Sequence, residues 1–307
     1  MERIALTLVR GFAMGAADIV PGVSGGTIAL IFGIYTQLLD NVRLGAKALG
    51  SLVRGRFGPG VDQLKSIDWL FIVPLALGLL AAIGLLSSLI ERLLEEQAEN
   101  MAGLFFGLVV ASLIIAWQMI KRATATEIVI ALTVGVVAFF LLGFQSAPLS
   151  DPPTWAYFLA GSIMICATIL PGISGSFLLL MMGMYAAVLG DVHDRDFLNL
   201  GVMVLGMALG LSLFSTGLGW LLDHYHDQLL AALVGLMLGS LRVLWPWPHG
   251  VGLLGDDEKE PLSGTGLELP TSDNAVWPIV IAVVSCAVVL GLNSIAHRLT
   301  NSSGDAS

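Results

Sequence analysis

Apolar residues fall along this chain in long blocks separated by short polar loops. A bilayer core takes about 20 apolar residues in helix. Six blocks meet that length: Leu70–Ile90, Met101–Ile120, Ile128–Phe144, Leu198–Leu222, Leu229–Trp247 and Trp277–Ala296. Two further blocks, Ile4–Leu39 and Ala156–Leu189, are each broken in the middle by Pro-Gly and a cluster of small residues. As one helix the first would be roughly 54 Å long, too long for a single crossing of a ~30 Å core. Split at Pro21-Gly22, each half is roughly 24 Å, short of a full crossing. The pattern predicts a re-entrant helical hairpin in each broken block, since Pro removes a backbone donor and Gly permits a sharp reversal. The N-terminus reads as a retained first element rather than a signal peptide, because Arg10 and Asp18 interrupt any apolar core.

The loop charges test that count. Arg43, Lys47, Arg54, Arg56 and Lys65 mark the 41–67 loop as cytoplasmic by the positive-inside rule. Glu91, Glu95, Glu96 and Glu99, against Arg92 alone, place the next loop outside. Lys121 and Arg122 then return inside, and Asp191, Asp194 and Asp196 put the end of the second hairpin outside. With both hairpins re-entrant, ten of the 14 Lys and Arg are cytoplasmic, and both termini lie inside. If the first hairpin crossed once instead, every later loop would flip and the bias would reverse. The loop 223–228 carries no base and is silent.

The chain also repeats. At an offset of 150, Pro21, Gly22, Ser24, Gly25, Gly33 and Tyr35 lie over Pro171, Gly172, Ser174, Gly175, Gly183 and Tyr185. At an offset of 128, Ser87, Gly107, Ser112 and Trp117 lie over Ser215, Gly235, Ser240 and Trp245. The change of offset places 22 extra residues in the basic loop of the first half. The expected fold is an all-α polytopic membrane protein of two repeats, 1–145 and 146–298, with a polar tail at 299–307. Each repeat is one hairpin plus three spans, so the second inserts upside down. Inverted repeats with paired broken helices are a common transporter architecture, with the binding site near the midplane.

Composition narrows the classes. The 307 residues are 56% hydrophobic and 12% charged, with 14 Lys+Arg against 23 Asp+Glu. No basic surface is available for nucleic acid. Cys166 and Cys286 sit in apolar runs, which excludes a disulfide scaffold. The five histidines fall at loops or span ends with no metal-ligand cluster, so no metal or other cofactor is expected. No Walker A, G-x-S-x-G or H-E-x-x-H motif occurs, which points away from an enzyme.

The chemistry then rests on the few polar groups left in the membrane. In Pro21-Gly-Val-Ser24-Gly25-Gly26-Thr27 a half-helix starts near Ser24, with unpaired N–H groups, two hydroxyls and glycines that let a ligand approach. Pro171-Gly172-Ile-Ser174-Gly175-Ser176 repeats the device. Both suit a phosphate; the plainer alternative is close helix packing through small residues. Asp18, whose repeat partner is Thr168, can bind a coupling cation, exchange a proton or cap the following turn. Arg242 can contact phosphate or snorkel to the outer surface near Trp245 and Trp247. Arg10 reads as a topology anchor.

Asp18-Ile-Val-Pro-Gly-Val-Ser-Gly-Gly-Thr27, with its echo at 169–176, resembles the bacterial polyprenyl-phosphate transporter family, and the likeness spans nearly the whole chain. The resemblance implies an inner-membrane protein that moves undecaprenyl phosphate from the outer to the inner leaflet, recycling the carrier for peptidoglycan and other envelope polymers. It implies a polyprenyl-phosphate lipid as partner; Asp18 is the candidate for H⁺ or Na⁺ coupling on its own chemistry, and a homo-oligomer is left open. The implied site is Asp18, Pro21, Gly22, Ser24, Gly25, Gly26 and Thr27 with Pro171, Gly172, Ser174, Gly175 and Ser176. A transporter of a small soluble anion and an intramembrane lipid phosphatase are the rival readings.

Overall fold

The computed structural model describes residues 2–20, 23–143, 149, 151–247, 267–271 and 275–304. Pro21, Gly22 and the acidic stretch 256–260 lie outside the described residues. The described residues are helical, with no strand among them. In chain order the helices are α1 (Glu2–Asp18), α2 (Gly25–Ile31), α3 (Tyr35–Val53), α4 (Phe57–Lys65), α5 (Trp69–Glu96), α6 (Ala98–Gln118), α7 (Ala125–Leu141), α8 (Thr154–Ile169), α9 (Gly175–Met181), α10 (Tyr185–Asp194), α11 (Phe197–His224), α12 (His226–Ser240) and α13 (Val276–Gly304).

Four of these, α5, α6, α11 and α13, are long and apolar enough to cross a bilayer. Their outer faces are greasy: Leu213 is 76% and Leu85 71% exposed, a pattern that water would penalise and lipid accepts. The chain is a multi-pass membrane protein. One expected span, 128–144, is displaced towards the N-terminus, and another, 229–247, is cut short. α7 has 17 residues, about 25 Å of helix. α12 has 15 and stops at Ser240, not at Trp247. There the chain tightens into turns, with Val243 N–H donating to the Ser240 carbonyl at 2.9 Å. Pro246 disfavours helix at the residue before it, so the apolar run continues without the helix.

The long helices associate through glycine, as membrane helices do when backbones must approach closely. A Cβ added at Gly11 would lie 2.0 Å from the Leu75 carbonyl oxygen, and one at Gly78 2.1 Å from that of Leu8, so α1 and α5 touch backbone to backbone. α8 and α11 do the same at Gly161 and Gly206, whose added Cβ atoms would meet the Met203 and Phe158 carbonyls at 2.3 and 2.1 Å. Gly11 and Gly161 are 150 apart, and Gly78 and Gly206 are 128 apart, the two offsets of the sequence repeat. The other two tight pairs join the halves. A Cβ added at Gly107 of α6 would lie 2.1 Å from the Ala282 carbonyl oxygen of α13, and one at Gly235 of α12 2.5 Å from that of Ala131 on α7. Each half therefore lends one helix to the other.

Backbone conformation repeats as well. The turn between α5 and α6 is made by Gln97 (φ −139, ψ 40) and that between α11 and α12 by Tyr225 (φ −133, ψ 47), 128 residues on. Gly33 and Gly183 both take positive φ, 66 and 70, which releases the chain from α2 and α9. α9 and α10 meet at a bend of 106°.

Arg3 on α1 pairs with Asp68, just before α5, at 2.9 Å. The chain thus returns, before α5 begins, to the level at which α1 started. The silent loop 223–228 is held by groups from the basic segments. Asp223 pairs with Arg43 at 3.0 Å, and Asp227 accepts the backbone N–H of Lys121 and of Arg122 at 3.2 and 3.1 Å. A hydrogen bond from His226, with those two N–H groups, holds the Asp227 carboxyl below its ordinary range.

Candidate functional site

The two broken segments meet in the middle of the helix assembly. Ser24 is the residue before α2, in extended backbone, and its hydroxyl accepts from Gly26 N–H at 3.1 Å. The same hydroxyl donates across to the Thr168 carbonyl, at the end of α8, at 3.3 Å. Thr27, on the first turn of α2, accepts the Gly172 N–H at 2.9 Å. Ser24 and Thr27 are 1% and 0% exposed. Gly172 has φ +89, a conformation that side chains resist. It also lies so close to α12 that a Cβ would come within 2.7 Å of the Met237 side chain. Gly26 faces the other segment too, with the Ile169 carbonyl 3.0 Å from where its Cβ would be.

The two half-helices begin differently. On the first, the Asp18 carboxylate accepts the Gly25 N–H, Ser24 takes Gly26, and the Ser24 carbonyl takes Thr27. The start of α2 is therefore closed off, and Asp18 caps it. On the second, no side chain caps α9. The Ser174 hydroxyl turns instead to the Ser176 hydroxyl, 2.9 Å away. Thr168, which corresponds to Asp18, spends its own hydroxyl on the Met164 carbonyl at 3.0 Å. Both residues nonetheless sit over the opening glycine of their half-helix. An added Cβ at Gly25 would lie 2.6 Å from Asp18 Oδ2, and one at Gly175 2.4 Å from Thr168 Oγ1. Neither glycine tolerates a side chain while its partner is in place.

The structure thus joins the two segments at Ser24, Gly26 and Thr27 on one side and Thr168, Ile169, Pro171 and Gly172 on the other, with Asp18 and Gly25 beside the first group and Ser174, Gly175 and Ser176 following the second along the chain. Arg242 is placed elsewhere. It lies in the turn after α12, with its guanidinium 4.7 Å above the Phe139 ring and against Gly143.

The chain matches the model of the undecaprenyl phosphate translocase-like family over residues 14–259. The chain belongs to this family. Among curated relatives, a polyprenyl-phosphate transporter of Vibrio cholerae is 39% identical over 303 residues, covering 95% of this chain and 97% of that protein. A polyprenyl-phosphate transporter of Staphylococcus aureus is 29% identical over 258 residues, covering 78% of this chain and 86% of that one. No solved structure matches the chain.

In this family member, sequence reasoning missed two contributors to the site, the Thr168 carbonyl and Met237. A signal for the first was present. Between the two copies of the motif, position 18 against 168, 26 against 176 and 27 against 177 differ. Those mismatches fall where one segment caps, leans on or hydrogen-bonds the other. Met237 carries no such mark; it is a fully buried apolar residue on a span, like many others.

Proposed function

We propose that this protein carries a polyprenyl phosphate, in bacteria undecaprenyl phosphate, from the outer to the inner leaflet of the cytoplasmic membrane, and that the contact between the two broken segments is where the phosphate is held. The meeting of Ser24 and Thr27 with Thr168 and Gly172 supports this reading most directly. The names of the two relatives supply the substrate class.

The donors a phosphate needs are concentrated there. Ser24, Thr27, Ser174 and Ser176 supply hydroxyls, and the first turn of α9 supplies N–H groups that no side chain caps. Gly25, Gly26, Gly172 and Gly175 keep the backbone within reach. In the described arrangement Thr27 occupies Gly172 N–H and Ser24 occupies the Thr168 carbonyl, so the segments bond to each other. A phosphate entering here accepts the Gly172 N–H and the Ser24 and Thr27 hydroxyl protons with its own oxygens, while the Thr168 carbonyl, itself an acceptor, gives up its Ser24 donor. The prenyl tail stays in lipid throughout.

The chain reads as an inverted repeat with two re-entrant hairpins, and both termini face the cytoplasm. The return of the chain from Arg3 to Asp68 supports the first hairpin, and the 106° bend between α9 and α10 supports the second. Because α6 pairs with α13 and α7 with α12, the halves rock against each other only if these tight pairs move as units. Alternating access then swings the α1–α5 and α8–α11 pairs, which carry the broken segments.

Asp18 couples transport to a cation, most simply H⁺. Protonation weakens its grip on Gly25 N–H and loosens the start of α2 when the tips separate. Arg242 lies on the outer approach and steers the phosphate rather than holding it.

The test is binding and transport of undecaprenyl phosphate by the purified, reconstituted protein. Wild type binds the lipid and moves it between leaflets, and Ser24→Ala/Ser174→Ala loses both. Full activity in that double variant overturns the assignment of the site.

A further inference from the structure

We propose that a cavity between α3, α4 and α11, remote from the broken segments in sequence and built largely by the extra residues of the first half, holds the phosphate headgroup of a membrane lipid.

The cavity has a volume of about 360 Å³, and Lys47, Ser51, Arg54, Gln63, Ser212 and Thr216 line it. That space accepts a phosphate group with part of its alcohol. Arg43, Lys47, Gly50 and Arg54 are spaced i, i+4, i+7 and i+11, so α3 turns one face with three cations towards this region. Arg43 is already neutralised by Asp223, and its side chain lies flat against Gly219 of α11. Lys47 and Arg54 form no ion pair among the described residues, and no carboxylate lines the cavity.

The remaining polar groups fix the donor set. The Thr216 hydroxyl donates to the Ser212 carbonyl at 2.8 Å, Ser212 to the Ala46 carbonyl at 3.4 Å, and Ser51 to Gln63 Oε1 at 3.1 Å. The hydroxyl protons are thus spent within the wall and hold α3, α4 and α11 together. The Lys47 ammonium, the Gln63 amide nitrogen and the Arg54 guanidinium, which gives one N–H to the Gly50 carbonyl at 3.5 Å, remain to face a ligand. Two cations and one neutral donor with no competing acid select a phosphate.

The mouth selects a lipid. Leu213, itself in the wall, is 76% exposed. An amphiphile places a chain along this exposed leucine and its charge among the bases; a free anion has no use for it. Basic pockets at membrane depth on the cytoplasmic side hold anionic headgroups elsewhere. The second half has no counterpart: α10 is 10 residues long where α3 is 19, and it is followed directly by α11.

The full-length protein in detergent is titrated with phosphatidylglycerol, phosphatidylcholine, undecaprenyl phosphate and inorganic phosphate, and bound molecules are counted by native mass spectrometry. The expected result is one retained phosphatidylglycerol whose affinity falls roughly 30-fold in Lys47→Gln/Arg54→Gln, at about 1 kcal/mol for each base removed. Lys47→Arg/Arg54→Lys retains it, as does Arg56→Gln/Lys65→Gln. Ser212→Phe, which fills the cavity without touching either charge, loses it, so a folding defect in one variant does not decide the matter. Ser24→Ala/Ser174→Ala keeps it, which separates this site from the proposed transport site. Undecaprenyl phosphate competing at the same site supports the headgroup assignment and adds the carried lipid as a source. Unchanged phosphatidylglycerol affinity in the double variant, equal affinity for phosphatidylcholine, or displacement by equimolar inorganic phosphate overturns it.

Discussion

Replacing Thr27 by valine changes the side chain's shape little and removes one hydroxyl. In the wild type that hydroxyl is the acceptor for Gly172 N–H at 2.9 Å, at a position with no solvent exposure. Gly172 belongs to the other broken segment, so the bond ties the two together. Valine leaves a buried donor unpaired, which costs about 1–3 kcal/mol. If the segments separate to relieve it, the open population rises roughly 5- to 150-fold. Hydrogen exchange resolved to the Gly172 amide reads that opening directly, and the rate should rise within this range. Thr27→Ser keeps the hydroxyl and should keep the protection. Equal protection of Gly172 in wild type, Thr27→Val and Thr27→Ser would show that the contact between segments does not hold them closed.

Asp18→Asn keeps an oxygen for Gly25 N–H but cannot titrate; the variant should still bind undecaprenyl phosphate while its transport rate no longer responds to pH, and a retained pH response would remove Asp18 from coupling. Gly107→Val and Gly235→Val each push a side chain into a facing carbonyl and should each lower stability by about 1–3 kcal/mol in thermal melts, whereas Gly291→Ala, which meets open space, should not. The Asp227 carboxyl lies below its ordinary pKa of about 4, so its hold on Lys121 and Arg122 is complete above that value and is lost as pH falls through the lowered one. Exchange at those two amides should stay slow at neutral pH and quicken only in strong acid; in Asp227→Ala it should be fast at both, and slow exchange in the variant would dismiss the contact.

The helices were largely legible because bilayer length and loop charge constrain them strongly. The interruptions between α1 and α2 and between α8 and α9 were legible because Pro and Gly act locally. Pairing across the halves was not. Gly107 and Gly235 are visible as a repeated pair, but nothing in one sequence says that each lies against a helix of the other half, since glycine marks a close approach without naming the partner. The short α12 was hidden for a related reason: hydropathy continues through Trp247 while the hydrogen-bond ladder ends at Ser240. At the candidate site, the nearness of the two motifs was legible from the repeat and their closure on each other was not. Ser24 and Ser174 look equivalent in sequence, yet one hydroxyl caps its helix and reaches the facing segment while the other turns to Ser176. That difference follows from Gly26 against Ser176, a one-residue change that supplies a competing hydroxyl. α4 went unread because its nine residues, with Gly58, Pro59 and Gly60 among them, carry weak helix propensity, and packing on α3 decides the matter.

The central claim is that the broken segments hold the lipid phosphate between them. Cryo-electron microscopy of the protein with undecaprenyl phosphate bound tests it most directly. The account predicts phosphate density between Ser24–Thr27 and Ser174–Ser176, with the Thr27–Gly172 contact opened and the prenyl chain running out to lipid. A saturated complex whose phosphate lies elsewhere, with that contact intact, would contradict it.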